Sequence, residues 1–454
     1  MTRTDRQILH IALPSIVSNI TVPLLGLIDV SIVGHLGAAS YIGAIAVGGM
    51  LFNMIYWLFG FLRMGTGGLT AQAYGRHDLQ EVTRILLRSL SISLLLALAL
   101  LLLQYPIRNI AFMCMDTSKE VRQLATLYFH ICIWGAPATL GLYGFTGWYI
   151  GMQNSRFPMF IAITQNIVNI AASLFFVFVL KMKVEGVALG TLVAQYAGLG
   201  MACLLWLAYY RPLRKYLRQK ALFDRMEMKR FFQVNRDIFF RTLCLIAVTV
   251  FFTSTGAAYG DVVLAVNALL MQLFTLYSYF MDGFAYAGEA LTGKYIGAKD
   301  NQSLRLTIRH LFKCGIALSL LFTLLYGAGG KSFLGLLTND TSVISASEEY
   351  IYWVLAIPLA GFSAFLLDGI CIGATATRVM LRSMLVASAS FFLLYYGFHT
   401  TLGIMHCGWL LLCTWHYEAL CREEYSTGCH IPTSTDRYSF NDKPRDICKL
   451  LLTL

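Results

Sequence analysis

Four acids set among apolar residues are the groups in this chain best suited to chemistry: Asp29, Asp282, Glu289 and Asp368. Asp29 is the sharpest of them. It lies in the first apolar stretch behind Pro14, Pro23 and Gly26, residues that bend or loosen a helix and release backbone groups. An unpaired carboxylate in hydrocarbon is costly, so Asp29 is expected to be neutral or to face a polar cavity, where it could take up and release a cation. The alternative is a place near the outer helix end, bathed by headgroups and water. Asp282 and Glu289 are seven residues apart and share a helical face, as a second proton or cation site or, beside Lys294, as solvated acids near a helix end.

A polar group gathers further along: Gln165, Asn166, Asn169, Ser173, Thr191 and Gln195. Asn169 and Ser173 are one turn apart and can face one partner, although such residues also serve simply as hydrogen-bond links between helices. Phe52, Met54, Tyr56, Trp57, Met271, Phe274, Tyr277 and Tyr279 could line an adaptable apolar cavity, with Gln165 as a polar contact, or pack in the core and against lipid. No P-loop, HExxH, GxSxG or CxxC pair is present, so an enzyme is not expected, nor any cofactor beyond a coupling ion. The late group Cys407, Cys413, His416, Cys421 and Cys429 lacks a zinc-finger spacing.

The elements that must position these residues are membrane helices. With 57% hydrophobic and only 13% charged residues, the chain lies outside the range of soluble globular domains. Apolar stretches at roughly 8–33, 40–62, 86–103, 124–150, 158–180, 185–210, 237–256, 262–286, 308–328, 349–373 and 380–402 mostly reach the ~20 residues needed to span a bilayer. They are continuous rather than alternating, which favours helices over a barrel. The net charge of +11 follows topology and does not point to nucleic acid. Nine basic residues fall between Arg211 and Arg236, and the others concentrate in connections on that same side, so both termini are expected in the cytoplasm.

The chain repeats itself at an offset of 222 residues. Gly147-Trp-Tyr-Ile-Gly151 with Arg156 returns as Gly369-Ile-Cys-Ile-Gly373 with Arg378; Leu51-Phe52, Leu69-Thr70, Gly75 and Asp78 return as Leu273-Phe274, Leu291-Thr292, Gly297 and Asp300. This divides the chain into lobes at 1–222 and 223–403. The fold expected is an all-α polytopic membrane protein of two six-helix bundles, parallel repeats about a pseudo-two-fold along the membrane normal. The twelfth helix is doubtful, because its window carries Glu418, Arg422, Glu423 and Glu424, so 404–454 is expected to be an aberrant tail. A shift of reading frame near Gly403 is compatible with this, since codons for Gly403 to Trp409 read one base earlier can continue an apolar segment. The repeat also sorts residues. Shared glycines and arginines serve the common fold, whereas Asp29 maps to Phe251, Asp282 to Gly60, Glu289 to Gly67 and Asp368 to Thr146, which marks the acids as functional.

Pro23-Leu-Leu-Gly-Leu-Ile-Asp29, Gly34-His-Leu-Gly37, Gly65-Thr-Gly-Gly-Leu-Thr-Ala-Gln-Ala-Tyr-Gly75, Asn166-Ile-Val-Asn169, Glu185-Gly-Val-Ala-Leu-Gly-Thr191 and Asp282-Gly-Phe-Ala-Tyr-Ala-Gly-Glu289 occur in order over residues 1 to about 403. In these the chain resembles the multidrug and toxic compound extrusion family, most closely its DinF-like branch. The resemblance implies a twelve-helix exporter of drug-like compounds, driven by H⁺ or Na⁺, with Asp29 as the coupling carboxylate and Asn169 and Thr191 as its polar partners. A second acid that the family pattern leads one to expect is Ser173 here, which favours H⁺. Small organic compounds and membrane lipid are the expected partners, and the chain is expected to act as a monomer in a bacterial-type inner membrane. A lipid-linked precursor flippase or polysaccharide exporter of the same superfamily would line its cleft with basic residues to hold phosphates, and an inactive truncated copy is the third reading.

Overall fold

The computed structural model describes residues 2–34, 38–113, 115, 118–216, 224–258, 261–337, 347 and 351–402. Among these residues the chain is helical throughout, with no strand. The first half contains α1 (Arg3–Gly34), α2 (Ala39–Leu58), α3 (Phe61–Gly75), α4 (Leu79–Leu102), α5 (Gln104–Met113), α6 (Lys119–Cys132), α7 (Ala136–Gly151), α8 (Arg156–Leu174) and α9 (Val184–Tyr209). The second contains α10 (Arg225–Ala258), α11 (Asp261–Ala298), α12 (Asn301–Leu337), α13 (Ile351–Gly373) and α14 (Thr377–Leu402). Ten helices or helix pairs among the described residues are long and apolar enough to cross a membrane, in keeping with an all-α polytopic membrane protein. The expectations for 404–454, a lost twelfth helix and a shifted frame, lie outside the described residues.

Three stretches that hydropathy presents as continuous are interrupted. α2 stops at Leu58, and Phe59 and Gly60 lead into α3. The fourth stretch breaks at a 3₁₀ turn, Ile133–Gly135, after which Pro137 opens α7. α8 ends in a π turn, Phe175–Val179.

Two compact units emerge from the contacts: residues 13–235, and residues 1–12 together with those from Arg236 on. Each unit contains its copy of the repeat in atomic detail. At the α3–α4 turn His77 takes φ 58° and Asp78 caps α4 by accepting from the Glu81 amide at 3.0 Å. At the α11–α12 turn Lys299 takes φ 56° and Asp300 accepts from the Ser303 amide at 3.0 Å. The repeated aspartate is therefore a helix N-cap, and hydrogen bonds from Ser303 hold the Asp300 carboxyl below its ordinary value. The repeated glycines have an equally local cause. A Cβ on Gly147 would run into the Arg63 carbonyl, and one on Gly369 into the Ala285 carbonyl, a pair at the same offset. Only glycine lets α7 approach α3, and α13 approach α11, this closely.

Candidate functional site

The site is built where α1, α8 and α9 meet in the first unit. α9 carries buried small residues at every fourth position, Gly186, Gly190, Ala194, Gly198 and Ala202. Two of them, Gly190 and Gly198, meet α8, and their size lets the backbones come together. Gly190 receives Ser173: a Cβ there would run into Ser173 Oγ and stand 2.8 Å from its backbone nitrogen. Gly198 receives Gln165, whose Cγ would be 2.5 Å from such a Cβ. The π turn begins two residues after Ser173, a wound segment of the kind often found beside functional sites.

α1 runs on through Pro14 and Pro23 and carries Asp29, only 4% exposed, into this junction. Asn169 Nδ2 donates to Thr191 Oγ1 at 3.1 Å, and Thr191 Oγ1 donates to Asp29 Oδ2 at 3.3 Å. One hydroxyl thus links an amide on α8 to a carboxylate on α1. One turn before Asn169, Asn166 Nδ2 donates to the Thr21 carbonyl at 3.0 Å and ties α8 to the backbone of α1 beside Pro23. Asp29 Oδ1, Asn169 Oδ1 and Ser173 Oγ are buried without a hydrogen-bond partner. Such atoms mark a place for a proton, a small cation or water. Tyr128 and Cys132 of α6 border Asp29, with the Tyr128 ring seated on Gly48 of α2.

The structure therefore brings Asp29, Asn169 and Thr191 together in a relay and sets Ser173 beside Gly190 on the same helix pair. The acids of the second unit are arranged differently. Asp368 on α13 pairs with Arg241 on α10 at 2.8 Å. Glu289 is fully buried on α11, and Asp282, two turns earlier, is half-buried. Positions 222 residues beyond Asp29, Asn169 and Ser173 are Phe251, Phe391 and Tyr395. Their rings pack edge to face, with centroids 6.0 Å apart for Phe251–Phe391 and 4.9 Å for Phe251–Tyr395. The counterparts of Asp29, Asn169 and Ser173 thus form an aromatic cluster, and that of Thr191, Cys413, lies outside the described residues.

The residues considered for a substrate cavity are divided between the two units, Phe52, Trp57 and Gln165 in one and Met271 and Phe274 in the other. Phe52 is buried and stacks on Phe129 with centroids 5.3 Å apart, whereas Trp57 is 44% exposed. Phe274 lies 6.2 Å from the Phe365 ring, Met271 is half-buried one turn earlier, and Gln165 is engaged by Gly198. No group of three or more metal-binding side chains occurs among the described residues. Sequence reasoning missed Tyr128 and the buried pair of Arg88 Nη1 with Glu81 Oε1 at 2.6 Å. The spacing of seven in α4, which places the pair two turns apart on one face, was the available signal for it.

A family model described as MatE matches residues 14–175 and 238–396. DNA damage-inducible protein F of Escherichia coli (strain K12) is 37% identical over 398 residues, covering 86% of this chain and 85% of its own length. Protein DETOXIFICATION 45, chloroplastic, of Arabidopsis thaliana is 22% identical over 416 residues, covering 86% of this chain and 73% of its own. Among solved structures, a crystal structure of MATE in the bent conformation matches with a TM-score of 0.81 at 18% identity, covering 92% of this chain and 94% of that one. The bent form of the Vibrio cholerae MATE transporter VcmN gives 0.80 at 16% identity, covering 93% and 97%. At those identities the likeness to the two structures is one of fold.

Proposed function

The chain belongs to the MatE family, and on that premise we propose that it exports drug-like or toxic organic compounds in exchange for H⁺, with Asp29 as the coupling carboxylate. The observation that supports this reading is the buried Asp29, held through Thr191 by Asn169, with its second oxygen unpartnered. Such a group can change its charge without first breaking an ion pair. A single carboxylate among neutral oxygens suits a proton, because protonation removes the charge, whereas Na⁺ would leave two desolvated ions in a low-dielectric site. Ser173, where a second acid would have strengthened a Na⁺ site, favours the same choice.

The cycle follows from that charge. With Asp29 ionised, the first unit favours the form that takes substrate from inside. Protonation from outside removes the charge, relaxes the demand for polar partners and lets α1 repack at its prolines, releasing substrate outward. Asn166, bonded to the backbone beside Pro23, and Asn169, linked to Asp29, both lie on α8, so a movement of α1 at either point is felt there. The basic connections support a chain with both termini in the cytoplasm, and the proposal includes a bacterial-type inner membrane and action as a monomer.

Asp29→Asn keeps the shape and the hydrogen bond from Thr191 but cannot titrate. In everted vesicles it is expected to abolish H⁺-driven efflux at an unchanged membrane level of protein. Undiminished transport by this variant would overturn the mechanism, and wild-type efflux driven only by a Na⁺ gradient would overturn the choice of ion.

A further inference from the structure

The short helix α5 (Gln104–Met113) takes no part in the relay. It follows α4 after one residue, Leu103, and its Pro106 has no amide to bond back to the Leu102 carbonyl, so the helix breaks there. At about 1.5 Å per residue the 24 residues of α4 rise about 36 Å, enough to cross the ~30 Å of hydrocarbon. α5 therefore begins where the hydrocarbon ends. Pro106, Ile110 and Met113 are exposed along one face of it, with Tyr105 beside them, at helical spacings of four and three. The other face is held to the unit by Phe112, which is buried with Ala44 of α2 and Ala125 of α6. A short helix so placed, with an apolar face outward, meets lipid rather than water.

At the flank of that face Arg108 is fixed by its neighbours. Its Nη1 donates to His130 Nε2 of α6 at 3.0 Å, and its Nε and Nη2 donate to Asn109 Oδ1 at 3.1 and 2.8 Å. The guanidinium lies 5.4 Å from the centre of the Tyr105 ring, and that ring lies 5.7 Å from the His130 ring. A guanidinium can only donate, so Nε2 accepts and the proton of a neutral His130 ring sits on Nδ1. The contacts thus orient Arg108 without answering its charge, since neither an amide nor a neutral imidazole is negative. Counted back from Gly151 at the far end of α7, His130 is again about 30 Å along its span. Both helices place the cluster at the level of the lipid headgroups.

We propose that Arg108, with Asn109 and His130 beside it, holds the phosphate of an acidic phospholipid whose acyl chains lie along Ile110 and Met113. The planar fork of the guanidinium suits phosphate oxygens, and three of its five N–H groups already fix its direction. An acidic lipid brings both things that the site lacks, a negative charge for Arg108 and an apolar cover for the exposed face. Free phosphate brings only the first, and a zwitterionic lipid only the second. The site is distinct from the Asp29 junction and stands whichever ion drives transport.

The test is native mass spectrometry of the purified full-length protein after equal exposure in detergent to phosphatidylglycerol and to phosphatidylcholine with the same acyl chains. The wild-type protein is expected to retain the acidic lipid in preference, and Arg108→Gln to retain about tenfold less of it, the scale of one hydrogen bond to a charged group. Arg108→Lys keeps the charge without the fork and should fall between the two. Ile110→Ser, at an exposed position on the apolar face, should weaken retention of both lipids, and it carries the test should the arginine variants fail to fold. Equal retention of the two lipids by the wild-type protein, or an acidic lipid held as well by Arg108→Gln and Ile110→Ser, overturns the site. Inorganic phosphate that raises the thermal midpoint as much as the acidic lipid does would make free phosphate the ligand and overturn the lipid. A dimer that Ile110→Ser dissociates would give the face to a second copy of this chain and overturn it as well.

Discussion

Two buried acids of the first unit show how a partner decides what a carboxylate can do. Asp29 meets a hydroxyl that can donate to it charged or accept its proton when neutral, so both states are served. Glu81 instead meets the Arg88 guanidinium, which is 1% exposed and suits only the ionised acid. Removing one member of such a pair leaves the other charge buried. Arg88→Met is therefore expected to lower stability by about 3–5 kcal/mol, with Arg88→Met combined with Glu81→Gln recovering part of the loss. Thermal unfolding of the purified variants in detergent measures both, and a double variant no better than the single would refute the pairing argument. Asp29, Asn169 and Thr191 were legible in the sequence because polar groups are rare at membrane depth. Tyr128 was not, because 222 residues on stands Tyr350, and a residue shared by both repeats reads as part of the fold.

At the scale of helices, the site depends on how closely α8 and α9 approach. Gly190→Ala would press a methyl against the Ser173 hydroxyl and against its backbone, with Cα only 2.9 Å away. Backbone cannot turn aside as a side chain does, so the helices must part, at a cost of about 1–3 kcal/mol. The measurable outcome is a lower thermal midpoint together with weaker H⁺-driven efflux, because parting the helices pulls Asn169 and Thr191 out of register. Adding Ser173→Ala should fail to restore either; full rescue would show that only the hydroxyl was in the way. The spans themselves were plain from hydropathy, but their breaks were not. A window of ~20 residues averages across Phe59–Gly60, Ile133–Gly135 and the π turn at Phe175–Val179, each a few residues long and shaped by its neighbours. The break at Ile133–Gly135 is the one that makes room for the Gln195 amide.

Over the whole molecule, the duplication was legible because its shared residues have strict backbone duties: Asp78 and Asp300 cap helices, and Gly147 and Gly369 admit a carbonyl. What could not be read was the assignment of residues 1–12 to the unit formed by residues 236 onward, since that depends on contacts far apart in sequence, such as Gln7 accepting from the Tyr295 hydroxyl at 2.9 Å. The aromatic cluster of Phe251, Phe391 and Tyr395 bears on the stoichiometry. Among the described residues the position matching Asp29 holds an aromatic ring, so a cycle that titrates Asp29 alone exchanges one proton. Exchange of that proton for a singly charged organic cation moves no net charge across the bilayer, whereas exchange for an uncharged compound moves one. Each charge moved responds to voltage by about 2.3 kcal/mol per 100 mV. In liposomes with a clamped potential, efflux of a monovalent cation should follow the pH gradient alone, and efflux of a neutral compound should also follow the voltage. The identity of the passenger would then decide whether the same pump acts as a silent exchanger or as an electrical one.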